Sequence, residues 1–262
     1  TLFERGLDPD KRSQLGAHYT DRDKIMQIVE PVIIRPLIAE WEPVRAKIEE
    51  ALAKAEKATG GAKTRAETEA KRLQAEWHER LRNFRVLDPA CGSGNFLYLS
   101  LLALKDIEHR TNLEAEALSP TLAARFPSSG PENVLGIELN PYAAELARVS
   151  VWIGEIQWMR RNGFEAAKNP ILKPLSNIEN RDAIVVFDES ESVWKEANWP
   201  LANVIVGNPP FLGGKSMRRT LGEESTSVIR RVYDGRLAAF SDLVCYWFEK
   251  ARLLIEDGEV ER

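Results

Sequence analysis

The run Val86-Leu-Asp-Pro-Ala-Cys-Gly-Ser-Gly-Asn-Phe96 decides how this chain is read. Val86 and Leu87 have the character of a buried parallel strand, Asp88 and Pro89 stop it, and Gly92 and Gly94 permit a tight turn with close backbone approach. Phe96-Leu-Tyr-Leu-Ser-Leu-Leu-Ala-Leu104 is long and apolar enough for a buried helix. Strand, glycine loop and helix form the nucleotide-cofactor pattern, because backbone N–H groups at the helix start face a ligand. Leu97 stands where a third glycine would complete the dinucleotide fingerprint, and no Gly-x-x-x-x-Gly-Lys-Ser/Thr string occurs.

A second stretch answers the first. Asn203-Val-Ile-Val-Gly-Asn-Pro-Pro-Phe211 is a buried strand ending in a stiff loop, since Pro209 and Pro210 fix their own backbone angles and restrict the residues before them. Such a loop can present a side-chain amide oxygen and a carbonyl without rearranging. Asp88-Pro-Ala-Cys-Gly-Ser-Gly-Asn-Phe96, taken with Asn208-Pro-Pro-Phe211, resembles the S-adenosylmethionine loop and catalytic loop of DNA amino-methyltransferases. The resemblance assigns cofactor contacts to Asp88, Pro89, Ala90, Cys91, Gly92, Gly94, Asn95 and Phe96, and to Asn208. It implies an α/β fold, a Rossmann-like class I methyltransferase sheet with helices on both faces.

Bulk properties set the outer bounds. The chain has 262 residues, 44% hydrophobic and 29% charged, as ordinary globular proteins do. It holds no apolar run of about 18 residues and opens on charged and polar residues, so neither a membrane span nor a signal peptide is predicted. Cys91 and Cys245 make no disulfide framework, which suits a cytoplasmic location. His18, His78 and His109 lack ligand spacing, so no metal site is expected. The net charge of −4 argues against a self-sufficient nucleic-acid binder. Lys215, Arg218, Arg219, Arg230, Arg231 and Arg236 are a local exception: a solvated face, or a DNA-phosphate contact beside the catalytic loop.

Three units are expected: a cofactor-contacting helical segment at 1–40, an inserted charged helical hairpin at 41–83, and a catalytic core at 84–262. In the first, Thr20 and Asp23 predict a helix start, and Pro31 and Pro36 predict a kink or break. Gly16-Ala-His-Tyr-Thr20 resembles the upstream segment of the same enzymes, which implies that His18, Tyr19 and Thr20 meet the methionyl end of the cofactor. The second unit, rich in Ala, Glu, Lys and Arg, reads as two helices joined at Gly60-Gly61, projecting or packed along one edge.

In the core, 105–131 reads as an inserted segment. Val134-Leu-Gly-Ile-Glu-Leu-Asn140 is a second strand, and Glu138 at its end can accept from both ribose hydroxyls, with Leu139 beside it; a surface glutamate is the plainer alternative. Residues 141–158 form a helix whose buried face includes Ile153. Asp182 is a turn-forming aspartate or, by the resemblance, the acid that binds the cofactor's adenine amino group, with Ala183 donating its N–H to the ring. Residues 215–236 read as a polar loop, and a last helix from Ser241 or Asp242 places Trp247 and Phe248 in the core. Asp242 matches a weaker cofactor-side motif of the family. The chain stops at Arg262 where such enzymes enter their next strand, so the sheet is expected to be C-terminally incomplete.

The chemistry follows from the target. An exocyclic adenine amine is a poor nucleophile because its lone pair is delocalised into the ring. Two acceptors on its hydrogens, the Asn208 side-chain oxygen and the Pro209 carbonyl, favour a tetrahedral nitrogen; Pro210 stiffens the loop, and Phe211 stacks on a base swung out of the duplex. Neither cysteine follows a proline, which disfavours cytosine-C5 methylation through a thiolate.

The order of motifs, with Thr1-Leu-Phe-Glu-Arg-Gly-Leu-Asp-Pro9 and Arg12-Ser-Gln-Leu-Gly-Ala-His-Tyr-Thr20, is similar to the MmeI-like (type IIL) restriction–modification enzymes. That likeness implies adenine-N6 methylation of double-stranded DNA, gripped through a recognition domain absent from this chain. No nuclease core is read from this sequence, so DNA cleavage is not expected of it. Alternatives left open are cytosine-N4, RNA-adenine or protein-glutamine methylation, and a cofactor-binding fragment inactive alone.

Overall fold

The computed structural model describes residues 20–123, 126–164 and 174–262. In chain order these form α1 (Arg22–Val29), a π-helical turn (Glu30–Ile34), α2 (Arg35–Lys57), α3 (Gly60–Asn83), β1 (Val86–Asp88), α4 (Asn95–Leu118), β2 (Val134–Glu138) and α5 (Pro141–Arg161). Then come β3 (Ile178–Asn180), β4 (Val185–Asp188), β5 (Val193–Glu196), β6 (Val204–Ile205), α6 (Gly214–Leu221), α7 (Glu223–Val232) and α8 (Val244–Glu256).

The short apolar runs become a parallel sheet in the order β3-β2-β1-β6. Val86 pairs with Val134 on one side and Val204 on the other, and Gly136 pairs with Ile178. Successive residues point to opposite faces. Val86, Val134, Ile178 and Val204 therefore share one core with Leu97, Leu101, Ala147 and Val151 of α4 and α5. Leu87 and Ile137 face the other way, into a core with Trp199, and Trp247, Ala251 and Leu254 of α8 pack against it. Helices thus cover both faces. The chain steps from β1 outward to β2 and β3, then returns to place β6 on β1's other side. The crevice between the carboxyl ends of β1 and β6 is the switch point where open α/β sheets bind ligands. Past α8, the Ile205 N–H donates to the Arg262 carbonyl at 3.0 Å and the Glu261 N–H to the Asn203 carbonyl at 2.9 Å, so the last residues run beside β6.

Several expectations need correction. Pro31 and Pro36 do not break the first helix: α1 passes through the π-helical turn into α2. Pro31 has no N–H to donate, and the wider turn accommodates that without ending the helix. Residues 41–83, expected to project or to pack along one edge, are packed at their base, where Trp41, Ile48, Trp77 and Leu81 are buried in the main core; each such side chain contributes about 2 kcal/mol. Their partners are chosen to match, with the Trp41 indole donating to Glu114 at 2.7 Å and the Trp77 indole to the Thr111 hydroxyl at 3.0 Å.

The supposed insertion after residue 104 begins as an unbroken continuation of α4 to Leu118. Beneath it, buried Glu108 accepts from the backbone and hydroxyls of Ser128 and Ser129 at 2.6–2.8 Å. Burial pushes its carboxyl up, but the hydrogen bonds from His78, Ser129 and Ser128 outweigh that and hold it at about 2.

Residues 215–236 are not a loop but mostly α6 and α7, because Met217, Val228, Ile229 and Tyr233 fall at helical spacing onto a second cluster with Ile184, Leu243 and Tyr246. Two side chains assigned to the core are exposed, Ile153 on α5 and Phe248 on α8. Residues 185–196 form a β-hairpin of β4 and β5, carrying an edge-to-face Phe187–Trp194 pair, that the sequence reading did not assign.

Candidate active site

The sheet delivers its polar residues to one edge. Asp88 ends β1 and is buried to 1% exposure, with Oδ1 accepting from the Ala90 N–H at 3.1 Å. Burial, with the Glu138 charge adding, pushes its carboxyl from 3.8 up to about 7. The glycine loop then turns through Gly92 and Gly94, at φ of 53° and 83°. These left-handed values favour glycine. At Gly94 a Cβ would also lie 2.9 Å from the Ala147 Cα, so only glycine lets α4 start this close to α5. Nothing lies within 4 Å of a Cβ built on Gly92, so that side of the loop is open. Cys91, buried in the same loop, donates its N–H to the Ile137 carbonyl at 3.1 Å. Burial, with Asp88 and Glu138 adding, pushes its thiol well up, which suits packing rather than nucleophilic chemistry. Phe96 is buried at the start of α4, while Pro89 gives its carbonyl to the Trp247 indole N–H at 3.0 Å, tying α8 to the loop.

Glu138 ends β2 beside this loop. Its two oxygens accept from Gly92 N–H at 2.9 Å and from Asn140 N–H at 2.8 Å. The carboxylate therefore clamps the glycine loop to the start of α5, and each oxygen keeps acceptor capacity for one further donor. Leu139 is 64% exposed above it. After β3, Asp182 Oδ1 accepts from Ile184 and Val185 N–H at 2.7 and 3.2 Å, the bonds of a turn-forming aspartate. Ala183 is buried, with its carbonyl taken by the Trp199 indole at 2.7 Å.

The Asn208-Pro-Pro-Phe loop leaves β6 at the switch point. Gly207 before it faces Asp88 so closely that a Cβ there would sit 2.5 Å from Asp88 Oδ1. Asn208 is exposed, and its Nδ2 donates to the Thr20 hydroxyl at 3.2 Å across a sequence separation of 188. That bond brings the start of the described chain to the Asn-Pro-Pro-Phe loop. His18 and Tyr19 lie outside the described residues. Phe211 follows with 66% of its surface exposed. Asp242 Oδ1 accepts from Leu212 and Val244 N–H at 2.9 and 3.1 Å, so in this structure it joins the end of the Asn-Pro-Pro-Phe loop to the head of α8.

Of the six cations after the loop, three have partners within the chain. Arg218 pairs with Glu223 at 3.4 Å, Arg230 donates to the Gly214 carbonyl at 3.0 Å, and Arg236 pairs with Glu196. Lys215, Arg218, Arg219 and Arg231 are exposed, and Arg230 and Arg236 are less so. Among the described residues no group of three or more His, Cys, Asp or Glu could hold a metal ion, and no helix is long and apolar enough to cross a membrane. A separate cleft of about 450 Å³ between α1, α4 and α5 contains none of the predicted site residues.

Residues 63–261 match the family model described as MmeI, DNA-methyltransferase domain. The chain belongs to that family. Over 257 residues the MmeI-type domain is 25% identical to DNA methyltransferase A of Bacillus subtilis (strain 168), covering 95% of this chain and 25% of that protein. It also superposes with a TM-score of 0.69 and 23% identity on a solved type IIL restriction–modification enzyme, MmeI in complex with DNA, covering 98% of this chain and 31% of that one. This MmeI-type chain thus spans about a quarter to a third of the relatives it matches, and the structural likeness speaks for the fold.

Sequence reading missed Gly207, Asn140 and Trp247. Gly207 had a signal, a glycine between an apolar strand and Asn-Pro-Pro, and so had Asn140, an Asn-Pro helix start whose contacts with Glu138, Tyr142 and Ala143 are local; Trp247 acts through a contact that only the fold creates.

Proposed function

We propose that this chain carries the methyl-transfer site of a restriction–modification DNA methyltransferase that modifies the exocyclic N6 of adenine in double-stranded DNA, with S-adenosylmethionine as methyl donor. The observation that carries the reading is the position of Asn208: at the switch point, against the Asp88 end of β1 through Gly207, and within hydrogen-bond distance of Thr20.

The donor set fits a nucleoside cofactor. The Gly92 side of the loop is open, Glu138 has acceptor capacity for ribose hydroxyls, and Asp182 with Ala183 stands at the end of the next strand for an adenine ring. Thr20, with His18 and Tyr19, is assigned to the methionyl end. Bound there, S-adenosylmethionine supplies an electrophilic methyl group. The chain's own residues do the rest. Asn208 Oδ1 and the Pro209 carbonyl accept the two amine hydrogens, which frees the nitrogen lone pair; Pro210 keeps the two acceptors at a fixed separation, so little reorganisation accompanies the reaction. Phe211, exposed beside them, offers a stacking face for an extruded base. The proton displaced from nitrogen passes to solvent. Lys215, Arg218, Arg219 and Arg231 are placed for phosphates of the flanking duplex.

The test is methyl transfer from labelled S-adenosylmethionine to DNA, RNA and protein by the full-length protein, followed by nucleoside analysis. Label in N6-methyladenine of DNA is expected. Label in N4-methylcytosine, in RNA or in glutamine would replace the adenine reading, and cofactor binding without transfer would reduce the chain to a binding unit.

A further inference from the structure

Phe240 is 74% exposed, more than any other aromatic residue among those described, in a molecule that buries most of its large apolar side chains. An isolated exposed phenylalanine is unremarkable. This one is held in place from three sides. The Arg230 guanidinium lies over its ring, 5.6 Å from the centroid, and donates to the Gly214 carbonyl at 3.0 Å. Arg230 Nε is buried without a hydrogen-bond partner among the described residues, so the guanidinium is held by that carbonyl and the ring rather than by a carboxylate. The backbone at Phe240 and just after it is fixed to the catalytic loop. Leu243 N–H donates to the Leu212 carbonyl at 3.0 Å, Leu212 N–H donates to Asp242, and a Cβ on Gly214 would fall 2.3 Å from the Phe240 carbonyl oxygen. Segments 211–214 and 240–243 therefore lie against each other, with Phe211 on one and Phe240 on the other.

Two exposed aromatic rings on adjoining strips, beside Asn208, serve different purposes in a reaction that must first empty a duplex position. Phe211 belongs to the Asn-Pro-Pro-Phe loop and is placed to face the extruded base. Phe240 comes from outside that loop, with its carbonyl against Gly214 at the head of α6; the exposed cations Lys215 and Arg219 of α6 and Arg231 of α7 have no acidic partner among the described residues. We propose that Phe240, seated on Arg230, is a duplex-contacting wedge: it stacks on the base pair beside the target and stabilises the opened helix while the target base is out. This rests on the site being a DNA methyltransferase centre and adds a residue that favours extrusion rather than methyl transfer.

A positioning role of this kind has a specific kinetic signature. If Phe240 acts on opening, its loss matters only when the target base must be unpaired. The probe is a synthetic duplex containing the adenine that the full-length protein methylates, prepared once with thymine and once with an abasic site opposite that adenine. Phe240→Ala and Phe240→Leu are expected to lower kcat/KM on the paired duplex about ten- to hundredfold, the range set by one base–aromatic stack. Both are expected to stay within about threefold of wild type on the abasic duplex. Phe240→Tyr keeps the stacking face and restores activity, whereas Phe211→Ala loses activity on both duplexes. Phe248→Ala, removing an exposed ring on α8, matches wild type on both. Equal losses for Phe240→Ala on the two duplexes, or no loss on the paired one, would overturn the wedge while leaving the methyltransferase reading intact. A wild-type protein that places no methyl group in DNA would overturn both.

Discussion

Replacing Asp88 by Asn tests whether the switch-point carboxyl is as starved of solvent as its position implies. Asp88 is buried at the end of β1, with one hydrogen bond from Ala90 N–H and the Glu138 carboxylate nearby. Its carboxyl is pushed from 3.8 to about 7. A group whose folded pKa is raised holds its proton longer in the folded than in the unfolded state. Its contribution to stability is therefore intact below about pH 4 and is lost as pH rises through about 7, at about 1.4 kcal/mol per unit of separation or about 4 kcal/mol in full. Between pH 5 and pH 8 the loss is about 2–3 kcal/mol. Asparagine keeps an oxygen for the Ala90 N–H and does not titrate. The free energy of Asp88→Asn minus that of wild type, from urea unfolding at matched pH, is thus expected to rise by about 2–3 kcal/mol from pH 5 to pH 8, with titrating groups remote from Asp88 cancelling in the difference. Parallel pH profiles for the two proteins would refute the reasoning.

Two further substitutions separate the loop clamp from cofactor binding. Glu138→Gln leaves one oxygen for two N–H donors, Gly92 and Asn140. It should cost about 1–3 kcal/mol of stability and, through the lost ribose acceptor, weaken S-adenosylmethionine about ten- to hundredfold by calorimetry; a Kd within twofold of wild type would remove Glu138 from the cofactor site. Gly94→Ala forces a side chain into a φ of 83° and against the Ala147 backbone at 2.9 Å. A drop of about 2–4 kcal/mol is expected, with cofactor binding impaired, and an unchanged melting temperature would contradict the close approach of α4 to α5.

The parts of the fold legible in the sequence are those where a short apolar run meets a residue that must stop it. Val86-Leu-Asp-Pro and Val204-Ile-Val-Gly-Asn-Pro-Pro carry strand and terminator together, so β1 and β6 could be placed, and their adjacency gives the site its location. Glu138 was legible as a strand-end acid, yet its clamp on Gly92 was not, because that bond joins residues 46 apart that only the β1–β2 pairing brings together. Helices α6 and α7 were hidden by composition. They are 8 and 10 residues long, rich in Arg, Glu, Ser and Thr, and owe their stability to the few buried positions Met217, Val228 and Ile229. Isolated helices this short are marginal in water, so only the tertiary cluster stabilises them. Phe248 failed for the opposite reason: helical spacing marks an apolar stripe, but α8 covers the sheet with Trp247, Ala251 and Leu254, and Phe248 falls outside that stripe.

The account depends most on the Asn208 amide as an acceptor for the target amine, and Asn208→Ala in the full-length protein measures it. Initial rates of labelled methyl transfer to DNA at saturating S-adenosylmethionine should fall at least about a hundredfold, the scale of removing one preorganised hydrogen-bonding group aimed at developing charge. Methyl transfer at the wild-type rate would contradict it.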